Sequence, residues 1–274
     1  MGHENAGNEI KIRVDGIALR FGGTVALNAV TLDVRENELL ALIGPNGSGK
    51  TSLLNCITGY YRPQRGEILF RENQLVGMRP DQVATLGIAR SFQKVELFNA
   101  MSVLDNLMVA RHKKIKQGFF TGSFFFGPAR SEEIKNRRIV EEVIDFMELE
   151  QVRKAPVGSL PYGLRKRIGV ARALALEPEV LLLDEPMAGM NVEEKEDLVR
   201  FVLDIYRGAR FGYESEFLNR GVRSIVIIEH DMGIVMDIAE RIAVLDFGVK
   251  IGEGTPQSIT KNPAVLKAYL GEDV

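Results

Sequence analysis

The sequence predicts an α/β fold whose core is a parallel sheet covered by helices. Three short apolar runs, at residues 39–43, 180–183 and 224–228, are bounded by polar residues, as is typical of strands buried on both faces of a sheet. Stretches with apolar residues at helical spacing lie between these runs. The chain has no internal repeat and no low-complexity tract, which excludes a solenoid and a disordered protein.

Two regions are predicted to flank this core. Residues 10–36 alternate apolar and polar positions, the pattern of half-buried antiparallel strands, with Gly22 and Gly23 at the turn. Between residues 102 and 151, apolar side chains recur at i, i+3, i+4 and i+7. We therefore expect an N-terminal antiparallel β-subdomain and an α-helical subdomain inserted in the middle of the chain.

The bulk composition narrows the class of protein. The net charge of the 274 residues is -2, so no strong overall field favours nucleic acid, and we expect no nucleic-acid partner. Cys56 is the only cysteine, which excludes an intrachain disulfide and suits a reducing compartment. The first ten residues lack the apolar core of a signal peptide, and no apolar run approaches the roughly 20 residues that span a bilayer. Any membrane that this protein serves is expected to lie beside it.

A glycine-rich segment follows the apolar run at 39–43 and precedes a helical pattern. Residues 44–51 read Gly-Pro-Asn-Gly-Ser-Gly-Lys-Thr and match the phosphate-binding loop G-x-x-x-x-G-K-[ST] in its strand-to-helix context. The glycines let backbone N–H groups surround phosphates, Lys50 would reach the β and γ oxygens, and the Thr51 hydroxyl would ligate Mg²⁺. The nucleotide contacts expected here are Gly44, Pro45, Asn46, Gly47, Ser48, Gly49, Lys50, Thr51 and Ser52.

The run at 180–183 ends in two adjacent carboxylates, Asp184 and Glu185. A buried strand would deliver Asp184 toward the Mg²⁺, and Glu185 would polarise the attacking water. Together with the phosphate loop, this pair predicts an enzyme that hydrolyses Mg-ATP.

Further segments resemble, in their order along the chain, the characteristic loops of ABC ATPases. Gln93 in Ser-Phe-Gln resembles the Q-loop glutamine, which contacts Mg²⁺ and water, and His230 resembles the switch histidine that senses the γ-phosphate. Residues 160–164, Leu-Pro-Tyr-Gly-Leu, resemble the signature loop, and 187–191, Met-Ala-Gly-Met-Asn, the D-loop. The resemblance assigns further nucleotide contacts to Phe21, as the aromatic that stacks on adenine, and to Leu160, Tyr162, Gly163 and Asn191.

Two positions depart from the family pattern. Pro161 stands where a serine hydroxyl commonly donates to the γ-phosphate of ATP on the opposite subunit, and proline has neither that hydroxyl nor an N–H. Asn191 stands where the D-loop commonly carries Asp. We expect function with altered rates, because Gly163 and the following helix N-terminus still offer N–H donors.

The resemblance implies a P-loop NTPase with a RecA-like parallel sheet core and places the subdomain boundaries. These are 8–40 and 65–75 for the β-subdomain, 41–64, 76–93 and 178–255 for the ATP-binding core, 94–177 for the helical subdomain, and 256–274 for a C-terminal helix.

Three stretches are most similar to the ATP-binding subunits of branched-chain amino-acid importers: the segment after Gln93, the Leu-Pro-Tyr-Gly loop, and the ending from Glu253 onward. The resemblance implies a homodimer, or a heterodimer with a related ATPase subunit. It also implies integral membrane permease subunits, an indirect link to a substrate-binding protein, and a peripheral place at the cytoplasmic face of the plasma membrane. Relatives of this type also serve amides, urea and aromatic acids, so the substrate stays open.

Two other classes of protein share part of this pattern. A soluble ABC ATPase without a membrane partner would carry tandem cassettes, long coiled coils or basic patches, which this chain lacks. A small-molecule P-loop kinase would explain the phosphate loop but not the signature helix, Glu185 and His230 together. Two stretches have no assigned role. The phenylalanine-rich segment at 119–126 is expected either to cover the helical subdomain or to face a membrane subunit or the bilayer surface, and residues 209–220 are an insertion of unknown purpose.

Overall fold

The computed structural model describes residues 9–92, 96–111, 128–211 and 222–270. Within these residues the strands form two sheets. The smaller sheet is antiparallel, with strand order β2-β1-β4-β5. Its strands are β1 (Ile10–Phe21), β2 (Thr24–Arg35), β4 (Arg65–Phe70) and β5 (Asn73–Gln74). Ile12 and Val14 on β1 are fully buried on one face, as the alternating sequence pattern predicts.

The larger sheet has six strands in the order β10-β9-β3-β8-β7-β6. They are β3 (Leu39–Ile43), β6 (Ile88–Ser91), β7 (Val180–Asp184), β8 (Ser224–Ile228), β9 (Arg241–Asp246) and β10 (Val249–Gly254). The first five pair in parallel, and β10 is antiparallel to β9 at one edge. Because parallel strands end at the same edge, the residues that follow β3, β7 and β8 come together there.

Helices cover both faces of the larger sheet. They are α1 (Lys50–Ile57), α2 (Pro80–Leu86), α3 (Val103–Arg111), α4 (Pro128–Phe146), α5 (Tyr162–Leu174), α6 (Val192–Phe211), α7 (Met232–Ile238), α8 (Pro256–Ile259) and α9 (Pro263–Leu270), with short 3₁₀ turns at Glu150–Val152 and Val157–Ser159. Helices α3, α4 and α5 pack on one another and form a helical layer. The prediction of an α/β protein with an antiparallel sheet and a helical region is confirmed.

Strand β3 separates two apolar cores. Leu39, Ala41 and Ile43 belong to the core shared with helices α3 to α7. Leu40 and Leu42, which point to the opposite face, belong to the core shared with α1, α2 and the antiparallel sheet. The uninterrupted apolar run therefore reflects a strand with apolar neighbours on both faces.

Two predicted boundaries differ from the structure. The β-subdomain was expected to extend to residue 40, yet Leu39 and Leu40 pair with β8 and β9 in the larger sheet. The expected single C-terminal helix is two helices, α8 and α9. Pro263 begins the second one, because proline lacks the N–H that a continuous helix would need.

No helix among the described residues has the length and apolar content to cross a membrane. The phenylalanine-rich segment at 119–126 and residues 212–220 of the predicted insertion lie outside the described residues. Residues 209–211 of that insertion form the end of α6.

Candidate nucleotide-binding site

The loop between β3 and α1 is closely packed against its neighbours. Gly44 has φ 145°, and a Cβ atom there would lie 1.9 Å from the Leu245 carbonyl oxygen. Gly49 has φ 106°, and its Cβ would lie 2.6 Å from the Ala26 carbonyl oxygen. Glycine is required at both positions for two reasons, the left-handed backbone and the neighbouring chain. The loop is therefore held in one shape by β2 and β9.

The Lys50 side chain lies inside this loop. Its ammonium group donates to the carbonyl oxygens of Gly44 at 2.8 Å and Pro45 at 2.9 Å. Burial lowers the pKa of Lys50, and the nearby charges of Glu185 and Asp184 partly oppose that shift. A cation so placed has the position needed to contact a phosphate held by the loop.

Asp184 ends β7 and is completely buried. Its two oxygens have different partners: Oδ1 accepts from the Thr51 hydroxyl at 3.5 Å, and Oδ2 accepts from Arg90 at 2.5 Å. A hydroxyl beside a carboxylate is an oxygen donor set that suits Mg²⁺, which takes one or two protein ligands and completes its shell with phosphates and water. Residues Thr51 and Asp184 therefore fit the ion. Within the described residues, no group of three or more His, Cys, Asp or Glu could hold a metal by itself.

Arg90, on β6, is a site residue that the sequence analysis missed. Its guanidinium is buried, pairs with Asp184, and also donates to Asn55 Oδ1 at 2.6 Å. A single charged residue inside the short apolar strand that precedes Gln93 is the signal that could have identified it.

Glu185 and His230 meet at the edge of the sheet. The Glu185 carboxylate and His230 Nε2 are 2.7 Å apart, although the residues follow different strands, β7 and β8. Glu185 has a left-handed backbone with φ 47°, and its N–H donates to the Ile228 carbonyl oxygen at 3.0 Å. The backbone turn directs the side chain of Glu185 to the exposed edge, whereas that of Asp184 remains inside.

Glu229 is a second residue that the sequence analysis missed. It is buried, and its carboxylate accepts from the backbone N–H of Met187 at 2.9 Å and of His230 at 3.3 Å. Burial raises the pKa of Glu229, and these two N–H groups oppose the shift. The carboxylate thus joins the segment after Glu185 to the segment that carries His230. Its position immediately before His230 was the available signal.

Helix α5 begins directly after the predicted signature residues. Pro161 is the N-cap, and the first intrahelical bond runs from the Arg165 N–H to the Pro161 carbonyl oxygen at 3.1 Å. The N–H groups of Tyr162 and Gly163 therefore have no acceptor inside the helix. Tyr162 is half exposed, and Leu160 packs partly against the core of the helical layer.

Asn191 lies at the start of α6 and is hydrogen-bonded to Glu194. Its Oδ1 accepts from the Glu194 N–H at 2.9 Å, and a Glu194 carboxylate oxygen accepts from the Asn191 N–H at 3.0 Å. This reciprocal pair is a capping box at the start of α6. The carboxamide oxygen of Asn191 is therefore engaged within its own helix.

Two predicted contacts remain, Phe21 and Gln93. Phe21 is half exposed at the end of β1, and its ring packs edge-on against Tyr61 with centroids 5.1 Å apart. Gln93 lies outside the described residues.

A groove of about 530 Å³ lies beside the site, between the helical layer and helix α2. Its walls are mainly apolar and aromatic, with Tyr60, Phe92, Leu97, Val109 and Leu176 among them. Arg90 and Lys166 also reach this groove, so its floor is formed partly by the residues that contact Asp184 and Glu185.

Comparison with known proteins identifies the family. The family model described as "ABC transporter" matches residues 27–188, and the one described as "Branched-chain amino acid ATP-binding cassette transporter" matches residues 249–274. The chain is similar to the high-affinity branched-chain amino acid transport ATP-binding protein LivG of Salmonella typhimurium, with 41% identity over 264 residues, 95% of this chain and 98% of the relative. It is also similar to BraF of Pseudomonas aeruginosa, which carries the same description, with 36% identity over 261 residues, again 95% and 98% of the two chains.

Solved structures agree with this relationship. The ADP conformation of MJ1267, an ATP-binding cassette of an ABC transporter, superposes with a TM-score of 0.78 at 28% identity, over 96% of this chain and 99% of that one. The resemblance drawn from the sequence is confirmed. This chain belongs to the ABC transporter family, as an ATP-binding cassette whose homologues are ATP-hydrolysing subunits of transporters.

Proposed function

We propose that this chain binds Mg-ATP at the edge of the larger sheet and uses its hydrolysis to energise a branched-chain amino-acid importer. One observation carries the catalytic part. The phosphate loop, the Thr51–Asp184 pair and the Glu185–His230 pair all follow strands that end at the same edge. This constellation supports phosphoryl transfer to water, because it combines a phosphate site, a metal-ligand pair and a positioned carboxylate.

Each residue has a defined part in the proposed reaction. The backbone N–H groups of residues 46–51 and the Lys50 ammonium hold the phosphates, and Mg²⁺ bound beside Thr51 and Asp184 would neutralise part of their charge. Glu185 accepts a proton from the attacking water as the oxygen of that water bonds to the γ-phosphorus. The bond from that phosphorus to the bridging oxygen breaks, and ADP keeps the electron pair. His230 holds the Glu185 carboxylate in place at 2.7 Å.

The proposed working form is a dimer. The N-terminus of α5, where Tyr162 is half exposed, Leu160 is partly exposed and Gly163 is buried, would face the ATP bound by a second cassette, so that two nucleotides lie between two chains. The second cassette is either another copy or a related ATPase subunit. This arrangement is supported by the half-exposed ring of Tyr162 and the helix N–H groups available beside it.

The decisive experiment is the solution mass of Glu185→Gln, measured by light scattering with Mg-ATP and without nucleotide. We expect a monomer without nucleotide and a dimer with Mg-ATP, because blocked hydrolysis should retain ATP between two chains. Glu179→Gln is the matched control, since Glu179 precedes the opposite end of the same strand and pairs with Arg71. It should hydrolyse ATP and show no lasting dimer. If Glu185→Gln hydrolyses ATP at the rate of the unmodified chain, the catalytic assignment is wrong.

The transport part of the proposal rests on the named relatives. It places the chain as a peripheral protein at the cytoplasmic face of the plasma membrane, bound to permease subunits that receive substrate from a binding protein. The apolar groove next to Arg90 and Lys166 is the proposed permease contact, because an occupant there would touch residues that hold Asp184 and Glu185.

Genetic complementation tests both the transported substrate and the proposed permease contact. Cells of the source organism that lack the gene should lose uptake of radiolabelled leucine, isoleucine and valine and keep that of urea. The unmodified gene should restore uptake, whereas Val109→Glu, which puts a charge in the groove, should not. Ile134→Glu is the control, because Ile134 is 60% exposed and lies on α4 outside the groove. Loss of urea uptake instead would overturn the assignment of branched-chain amino acids as the substrate. Full rescue by Val109→Glu would overturn the assignment of the groove as the permease contact.

A further inference from the structure

Lys166, on helix α5, is a buried cation for which the reaction outlined above has no use. Only 3% of the residue is exposed. Its Nζ donates to the backbone carbonyl oxygen of Glu185 at 2.9 Å and lies 5.8 Å from the centre of the Tyr162 ring. Lysine is almost never so buried without a partner of matching chemistry. This contact joins the helix that follows residues 160–163 to the residue proposed to activate water.

The Glu185 backbone needs such a partner. A residue with a side chain in the left-handed region is strained and persists only where the surroundings fix it. The N–H of Glu185 is held by the Ile228 carbonyl oxygen at 3.0 Å, at the end of β8. Its carbonyl oxygen accepts from Lys166 Nζ at 2.9 Å and from the backbone N–H of Ala188 at 3.3 Å. The residue is thus fixed at both of its peptide groups by two different elements.

The fixed backbone in turn sets the position of the carboxylate. Glu185 follows a strand whose last residue, Asp184, is wholly buried, and the left-handed turn brings the next side chain to His230. Rotation of the peptide that carries the Glu185 carbonyl would change the ψ angle of Glu185, because the ring of Pro186 fixes the φ angle on its other side. Loss of the Lys166 contact would therefore displace the carboxylate without removing any group that touches the nucleotide.

The local charges keep Lys166 suited to this task. Burial lowers its pKa, and the carboxylates of Glu229, Glu185 and Asp184 oppose that shift. A cation gives a stronger hydrogen bond to a carbonyl oxygen than a neutral donor does.

We propose that Lys166 is a positioning residue for hydrolysis, which holds the Glu185 peptide in the conformation that directs its carboxylate to the attacking water. The inference rests on the proposed role of Glu185. It assigns to Lys166 an effect on the rate of the chemical step and none on nucleotide binding.

The test compares Lys166→Met, Lys166→Arg and Glu185→Gln in the full chain. Methionine keeps the apolar stem and removes the donor, whereas arginine keeps a cationic donor on a longer stem. We expect Lys166→Met to lower kcat about 10- to 100-fold, the range for loss of one charge-assisted hydrogen bond. The KM for ATP and the Kd of a fluorescent ATP analogue should change less than about twofold, because the substitution leaves the groups that bind ATP in place. Lys166→Arg should recover most of the loss in kcat.

Arg167→Met is the matched control. Arg167 is the next residue of α5 and also donates to a backbone carbonyl oxygen, that of Glu148 at 2.7 Å, away from the site. Its kcat should stay within about twofold of the unmodified value.

The possible results separate this inference from the function on which it rests. An unchanged kcat in Lys166→Met, with Glu185→Gln inactive, would overturn the role of Lys166 and leave that of Glu185 intact. An active Glu185→Gln would overturn both. Lys166→Met and Lys166→Arg could instead lower kcat, the affinity for ATP and the midpoint temperature of unfolding to the same extent. That result would show that Lys166 only supports the fold, and it would also overturn the proposal.

Discussion

At the scale of single residues, the carboxylate of Asp184 is held by a cation, Arg90, that no recognised motif contains. Asp184 divides its oxygens between Thr51 and Arg90, so one oxygen faces the phosphate loop and the other a buried ion pair. A carboxylate with no exposed surface is stable as an anion only with such partners. Arg90 is therefore required by Asp184 even before a metal is considered.

Substituting Arg90 by Met should lower the free energy of unfolding by about 3–5 kcal/mol, because it leaves the buried Asp184 without its cation. Urea denaturation monitored by circular dichroism measures this loss. Mg-ATP should reduce the loss, since a cation beside Thr51 and Asp184 compensates the same charge. Arg138→Met, which removes an exposed pair with Glu142, is the control and should change stability by less than about 1 kcal/mol. Equal effects of the two variants would contradict the ion-pair argument.

At the scale of secondary-structure elements, the ends of the helices determine which polar groups are available to a nucleotide. Helix α5 begins at a proline that offers no side-chain cap, and its first N–H groups stay free of intrahelical bonds. Helix α6 begins at Asn191, whose side chain caps the helix itself. One terminus can therefore receive an anion, while the other is already satisfied.

Asn191→Ala should destabilise the chain by about 1 kcal/mol, because it removes the acceptor that caps α6. Asn191→Asp should stay within about 0.5 kcal/mol of the unmodified protein, since a carboxylate also caps and suits the positive end of a helix. Thermal unfolding of both variants at one protein concentration provides the comparison. An Asn191→Ala variant with the stability of the unmodified protein would mean that the capping box contributes nothing to the stability of α6.

At the scale of the whole molecule, a buried charge cluster joins the two sheets. Arg241, at the start of β9, donates to Glu38 at 2.5 and 2.8 Å and to the Asp33 carbonyl oxygen at 2.7 Å, and it pairs with Glu253 of β10. Asp33 belongs to the antiparallel sheet and the others lie in or beside the larger sheet. The cluster thus ties β2 to the larger sheet, and β2 also borders the phosphate loop at Ala26.

The cluster gives stability a defined pH dependence. Burial alone would raise the pKa of Asp33 and of Glu253, but their bonds to Arg35 and Lys250 and the charge of Arg241 outweigh it and lower both pKa values. The unfolded chain therefore binds more protons than the folded chain at mildly acidic pH. The stabilisation is present above the unfolded pKa values of the two carboxyls and is lost as the pH falls through their lower folded values.

Arg241→Met should lower the free energy of unfolding at neutral pH by about 3–5 kcal/mol, because Glu38 would stay buried without its partner. Its stability should also fall less steeply than that of the unmodified chain between about pH 5 and 3, since one cause of the lowered pKa values is gone. Urea titrations at several pH values test both points. Arg71→Met, which breaks a half-exposed pair with Glu179, should keep the steep acid limb. If the free energy of unfolding of Arg241→Met falls with pH as steeply as that of the unmodified chain, Arg241 is not a cause of the pH dependence.

The sequence by itself determined the class of the fold and the family to which the chain belongs. Apolar runs identified the strands β3, β7 and β8, since a strand buried on both faces admits few polar residues. The phosphate loop, Asp184 and Glu185 could be predicted as site residues because each lies in a short contiguous segment whose chemistry demands those residue types. His230 was predicted only through the resemblance to ABC ATPases.

Only the tertiary structure decided which residues hold that chemistry in place. Arg90 meets Asp184 across 94 positions, Glu229 meets Met187 across 42, and Lys166 meets Glu185 across 19. Helical and strand periodicity report on the neighbours of a residue along its own element, and these partners lie on different elements. The use of Asn191 as a cap was hidden for a related reason, because its oxygen could serve a helix or a nucleotide equally well and the backbone chose the helix.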